Sequence, residues 1–485
     1  MAATFPAMKK NVMRPLLVFV ATSALIACAW WWQRAGEIQV LVRTCRPAPP
    51  DLADAPPAMR DQILATDART QTRFDAGAGL AQLSRIYHAN GFFSEAMRCY
   101  EGLEKLEPSE PRWFHRHAAI LAGYGEIEPA LVLWRRVAVL APAFLPAQLR
   151  IGDAELKSNH PAEAAASYNT VLQRDPGNAY ALLGLARIDY EAQRWDQARS
   201  RLETVVSQTN YALGYDLIVT LYEKTGRPAQ AVAIRAAHKA SGAFRDPPDP
   251  WLDEIMDVCF DANRLALTAG FIARDGDKAK ALQLLERAIA LAPDSSALRF
   301  QTGLLHLAQG NTKDARDYLE QCTRLAPDFP DGWAQLSALQ AKSGEKTAAL
   351  RTLMAGLAQC PRSPGLHLMR AHTLRESGQN GEAIEEFRES IRLRPNEADA
   401  YIELANVFIE LNQIDPALAL LHQSLEAEPG NPMALGILTY HAITTGDESS
   451  ALRWFGRIRQ QPRVPAEQVA NLRTAFQEQF GHALP

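Results

Sequence analysis

The sequence predicts an all-α chain, an α-solenoid of about eleven helical hairpins in two sub-arrays, and three periodic features predict it. Pro108, Pro142 and Pro176 stand 34 residues apart, and Pro293, Pro327, Pro361, Pro395 and Pro429 keep the same interval. With proline set at column 32 of a 34-residue unit, column 20 is alanine in all eleven units: Ala96, Ala130, Ala164, Ala198, Ala231, Ala281, Ala315, Ala349, Ala383, Ala417 and Ala451. Column 15 is glycine in eight of them: Gly91, Gly125, Gly226, Gly276, Gly310, Gly344, Gly378 and Gly446. One hairpin of this size cannot bury its apolar face alone, so a fixed period of this length marks a stack in which each unit covers the next.

Each column has a physical reason. Glycine at column 15 suits the end of a first helix, because it takes positive φ without strain. Column 8 is mostly small (Ser84, Ala118, Gly152, Ala186, Ala269, Gly303, Ser337, Ala371, Ala405), so columns 8 and 20 let the two helices of a hairpin approach closely. Column 24 is aromatic or leucine in ten of eleven units, Tyr100, Trp134, Tyr168 and Phe387 among them, with Arg235 the misfit. That large side chain fills space toward the neighbouring unit. Proline at column 32 stops the second helix, since its ring and missing N–H disallow continuation.

Ahead of the array, residues 1–34 read as a membrane signal. Lys9, Lys10 and Arg14 precede an uncharged apolar stretch, Leu16 to Trp32, which closes on Trp30, Trp31 and Trp32. As a helix it would rise about 26 Å, near the lower limit for crossing a hydrocarbon core. The positive charges before it favour a cytoplasmic N-terminus, with the remainder on the extracytoplasmic, periplasmic side. Leu25-Ile26-Ala27-Cys28 supports a second reading, since it resembles the lipobox of bacterial lipoproteins, with lipidation at Cys28 and a start at Met8. Both readings expect membrane attachment through this segment.

Residues 35–76 read as a proline-rich linker and a lead-in helix; Arg46 to Pro57 holds five prolines in twelve residues, an extended spacer. Sub-array one follows at 77–245 with five repeats, and sub-array two at 262–463 with six. Between them, 246–261 falls outside the register and reads as an inserted helix, capped by Asp249 with Pro250 at its first position and Trp251, Ile255 and Val258 on one face. It is expected either to plug the joint between the sub-arrays or to serve as a ligand-contacting insert or hinge. Residues 464–485 read as the polar capping helix that a solenoid end requires.

Composition narrows the function classes. With 51 basic against 55 acidic residues and a net charge of −4, the chain is no polybasic nucleic-acid binder, and 47% apolar residues exclude a disordered chain. Six cysteines in 485 residues do not make a disulfide scaffold, and no two of them have the Cys-x-x-Cys spacing of a metal or redox site. No stretch matches a phosphate-binding glycine loop, a zinc-protease helix, a nucleophile elbow or a haem-attachment motif. No enzyme, metal or cofactor is expected.

The columns resemble those of the tetratricopeptide repeat, from about Gly77 to Pro462. The resemblance implies non-catalytic binding of protein or peptide partners, with first-helix columns 2, 5, 9, 12 and 13 lining a concave surface. On that basis Arg85, His88, Arg112 and His115 form a weakly basic patch suited to an acidic or C-terminal peptide, and Tyr180, Arg187 and Tyr190 add aromatic and basic groups. Phe300, Leu304 and Leu307 instead make an apolar i, i+4, i+7 stripe suited to an amphipathic helix. The plainer alternatives are a solvated face for the first set and burial by the next helix for the second. Column 5 carries no lysine, so the carboxylate clamp of chaperone-tail-binding members is absent. The function expected is a membrane-anchored scaffold assembling an envelope complex, with an accessory subunit binding an extended polymer, a polysaccharide or secreted polypeptide, as the alternative.

Overall fold

A computed structural model describes residues 10–53, 55–209, 211–237, 247–274, 276–461 and 464–484, with side chains in the first helix from Thr22 onward. The described residues form 26 α-helices and one 3₁₀ turn, with no strand among them. They divide into two compact units at Asp261/Ala262. The first holds α1 (Lys10–Cys45), α2 (Pro57–Thr70), five hairpins and the insert; the second holds six hairpins and a last helix, Ala466–Phe480. The expected end of the fifth hairpin, near Arg245, lies outside the described residues.

The hairpins follow from the columns. All eleven column-20 alanines are at most 1% exposed, and every column-24 side chain except Arg235 is buried. Each second helix that precedes a column-32 proline ends two residues before it, as at Leu106/Pro108 and Leu393/Pro395, because proline disfavours helical backbone in the residue ahead of it. In the first hairpin, α3 (Ala76–Ala89) and α4 (Phe93–Leu106) join through Gly91 at φ 85°. Its successor Phe92 donates its N–H back to the Tyr87 carbonyl at 3.0 Å, closing the helix end.

Asn159, Gln193 and Asn412 occupy column 15 where glycine is missing, and all three take positive φ, at 62°, 56° and 57°. The following residues make the same return bond, as Arg194 N–H does to the Asp189 carbonyl at 2.8 Å. The left-handed turn is therefore common to all eleven hairpins, with or without glycine.

The N-terminal segment departs from expectation. Helix α1 does not stop at Arg34 but runs on to Cys45, since no proline intervenes before Pro47 and Ile38, Val42 and Cys45 pack onto α2, α3 and α4. Among the described residues no helix is long and apolar enough to cross a membrane, so the transmembrane anchor finds no support there. Met8, Lys9 and the other leading residues, and the side chains through Ala21, lie outside the described residues. The proline-rich stretch does not stand clear of the body either: Pro47 is buried, Leu52 and Ala55 pack on the core that α2 forms with the first hairpin, and Arg46 reaches Asp67 at 3.3 Å. Apolar residues between the prolines draw the segment back. In the second unit the last helix covers the final hairpin, burying Leu472 and Phe476 beside Phe455 and Ile458.

Gln193→Gly should stabilise the fourth hairpin by about 1 kcal/mol by removing a left-handed non-glycine residue. Gly310→Ala should cost a similar amount in the seventh. Amide exchange across each hairpin measures both; equal protection in the wild type and the Gln193→Gly chain would refute the strain.

Candidate functional site

The first helices of hairpins one and two carry the predicted basic patch, and the insert lies across them. The second hairpin begins with α5 (Pro111–Gly123). Asp249 caps the insert by accepting the Leu252 N–H at 3.3 Å, Pro250 opens a single α-turn, and Glu254–Val258 continue as 3₁₀. Ile255 and Met256 are buried, and Trp251 and Val258 half-buried. The insert packs within the first unit, back across elements that lie far earlier in the chain.

At the end nearer the third hairpin, His115 Nε2 lies 2.7 Å from Asp249 Oδ2, with the imidazole fully buried. The Trp251 ring stacks on Phe144 with centroids 3.5 Å apart and planes 7° from parallel, and meets the His115 ring edge-on at 5.7 Å. In the middle, Arg116 donates from Nε to the Trp251 carbonyl at 3.0 Å and from Nη2 to Glu254 Oε2 at 2.7 Å. Arg112 approaches the same carboxylate at 3.5 Å. Arg85 donates to the Glu254 carbonyl at 3.0 Å. At the far end Asn90 donates to the Val258 carbonyl at 2.9 Å and accepts the Phe260 N–H at 2.7 Å.

Arg116 is the largest fully buried side chain described. Burial pushes its guanidinium below the ordinary arginine range, while Tyr100 and Glu254 pull it back. A buried guanidinium keeps its charge, so it depends on the Glu254 carboxylate and on the Trp113 ring beneath it, 5.6 Å from centroid to guanidinium.

The structure thus brings Arg85, Arg112 and His115 together, and leaves His88 out: its Nδ1 turns to the Tyr100 hydroxyl at 3.0 Å. His117 turns to Glu104 at 2.8 Å, so the two neighbouring histidines of α5 serve different partners. Tyr180 packs against Tyr211 at 5.1 Å, Tyr190 lies edge-on to Trp195 with Lys224 over its face at 4.8 Å, and Arg187 is exposed. In the second unit the apolar stripe is divided. Phe300 and Leu307 pack on the core of Leu319, Leu336 and Leu339, whereas Leu304 is 36% exposed. Cys28 is exposed. Among the described residues no group of three or more His, Cys, Asp or Glu could hold a metal ion.

Sequence reasoning missed Arg116, Asn90 and Phe144. Arg116 carried a readable signal, a charge at column 6 next to the inner-face His115. Asn90 and Phe144 carried none.

A stack of antiparallel hairpins, each packed on the next, defines an α-solenoid. Two tetratricopeptide repeat models match, one over residues 155–210, 306–372 and 374–439 and the other over 273–330. Over those stretches the chain is similar to the tetratricopeptide repeat. It is similar to the protein CTR9 homolog of Arabidopsis thaliana, 23% identical over 65% of this chain and 29% of that protein. It is also similar to cellulose synthase 2 operon protein C of Komagataeibacter xylinus, 25% identical over 54% of this chain. The chain spans 29% and 20% of the lengths of these two relatives. The structure of yeast Tom70 is 13% identical with a TM-score of 0.38, covering 84% of this chain and 97% of that one.

Asp249→Ala removes a cap and leaves the His115 ring buried without its partner, so it should destabilise the first unit by about 1–3 kcal/mol. Asp249→Asn, which keeps one acceptor oxygen for the Leu252 N–H and nearly the same shape beside His115, should cost less. Urea unfolding of the two variants checks the order; equal losses would mean that the contact is only steric.

Proposed function

We propose that the chain is a non-catalytic protein-interaction scaffold, attached to a membrane through its N-terminal segment, that assembles an envelope complex on the extracytoplasmic side. The observation that carries the scaffold is a division within each hairpin. Columns 8, 20 and 24 are buried almost throughout, while column 5 changes from Ala81 to His115, Asp216 and Phe300. Packing is held constant and inner-face chemistry varies from unit to unit, which is how a repeat surface distinguishes partners.

Membrane attachment is supported by the exposed Leu25, Ile26, Trp30, Trp31 and Trp32, each more than half exposed. Trp31 stacks on Phe74 at 4.2 Å and Arg73 lies over Trp32 at 4.2 Å, an aromatic and cationic pairing suited to a headgroup layer. The attachment is by the helix itself or by a lipidated Cys28.

Full-length protein is expected to sediment with membranes, and Trp30→Ser with Trp31→Ser and Trp32→Ser to move most of it to the soluble fraction. Affinity capture from those membranes should yield a partner lost on Leu304→Asp or on Tyr180→Ala with Tyr190→Ala. Capture unaffected by both would count against the scaffold. The polymer-binding alternative is favoured by the Tyr180–Tyr211 pair and by the likeness to the cellulose operon protein. Binding of a polysaccharide, abolished by the two tyrosine changes, would decide for it.

A further inference from the structure

The insert meets the first unit as a ligand meets a receptor. Asp249 to Phe260 carries four carboxylates and no basic residue, and it faces Arg85, Arg112, Arg116 and His115. Apart from the Phe260 N–H, which donates to Asn90, these polar contacts run from receptor side chains to its own carbonyls and carboxylates, the pattern by which a groove holds an extended segment. One aromatic anchor, Trp251, stacks on a receptor ring, Phe144. Glu254, bonded to Arg116 and close to Arg112, stays 43% exposed, so the central ion pair is open to exchange from solvent.

We propose that the inner face of hairpins one to three is a recognition site for an acidic peptide carrying a tryptophan, occupied in cis by residues 249–258, and that a partner engages it by displacing them. This rests on reading the arrays as partner-binding surfaces. A segment on the same chain meets its groove at an effective concentration of order mM. A peptide in trans therefore sees its affinity reduced by the fraction of molecules whose groove is open. The buried Arg116 sets the specificity: an occupant without a carboxylate at the Glu254 position leaves a desolvated guanidinium unpaired.

The test needs no partner, so its failure and that of the scaffold are separable. The probe is a labelled synthetic peptide of residues 247–260 with Cys259→Ser, titrated by fluorescence polarisation into the full-length protein. Trp251→Ala with Glu254→Ala should open the groove and tighten peptide binding by about tenfold or more, the factor expected if the cis segment leaves a tenth or less of the molecules open. Adding Arg112→Glu to the opened chain should remove the gain, and a peptide with Trp251→Ala and Glu254→Gln should not bind. A folded, fully helical opened chain that binds no tighter than wild type would overturn the proposal, as would equal binding of the altered peptide. If the opened chain loses helicity, wild-type protein serves. Excess peptide should then speed amide exchange at 252–258, and unchanged exchange would equally overturn it.

Discussion

The close approach of the two helices in every hairpin is the constraint on which the other features depend. No column-20 side chain exceeds a methyl group, and all eleven are buried to 1% exposure or less. The same intimacy extends between neighbouring units. The Tyr168 ring fills the space where a Cβ on Gly152 or Gly184 would come within 2.6 or 2.3 Å of its carbons. Its hydroxyl still donates to Asp153 at 2.6 Å. Dispersion is lost steeply with distance and overlap is costly, so this spacing holds each hairpin against the next and the inner columns are released from packing duty.

That release explains how a cationic stripe can exist on the first unit. Arg85, Arg112 and Arg116 come from first helices one hairpin apart, at positions the stack itself does not need. Arg116 is the exception that gives the stripe its chemistry, because it is buried as well as charged. Taking a guanidinium out of water costs several kcal/mol unless a carboxylate and further acceptors meet it. Glu254 and the Trp251 carbonyl meet it here. The bare face would therefore be less favourable than the covered one, and whatever covers it must bring a carboxylate to the same place.

The hairpins were legible in the sequence because each column reports a local rule: proline ends a helix, glycine accepts positive φ, alanine admits a neighbour. Where a rule can be met in another way the signal weakens. Asn159, Gln193 and Asn412 hold the left-handed turn without glycine, leaving the backbone constraint invisible to a search for that residue. The insert divides along the same line. Asp249 and Pro250 announce a helix start through local capping chemistry, but their destination does not show, since the His115–Asp249 and Asn90–Phe260 contacts join residues 134 and 170 positions apart. Helix α1 outran its expected end for a local reason as well: charge at Arg34 and Glu37 ends an apolar run, not a helix, and Pro47 is the next proline after them.

The two units handle inner charge differently, and the difference points to the first as the responsive one. In the second unit Glu386 accepts from Arg370 at 2.5 Å and lies 2.6 Å from His367, all within one hairpin. Glu403 accepts from Arg375 of the preceding hairpin at 3.1 Å. These pairs are completed by the repeats themselves and need nothing added. In the first unit Arg85, Arg112, Arg116 and His115 all meet a segment that belongs to no repeat. A charge network closed within the stack is fixed once the stack forms. One closed by a separable segment has a second arrangement available, in which another acidic segment takes that place, and such a second arrangement is what a binding event can select.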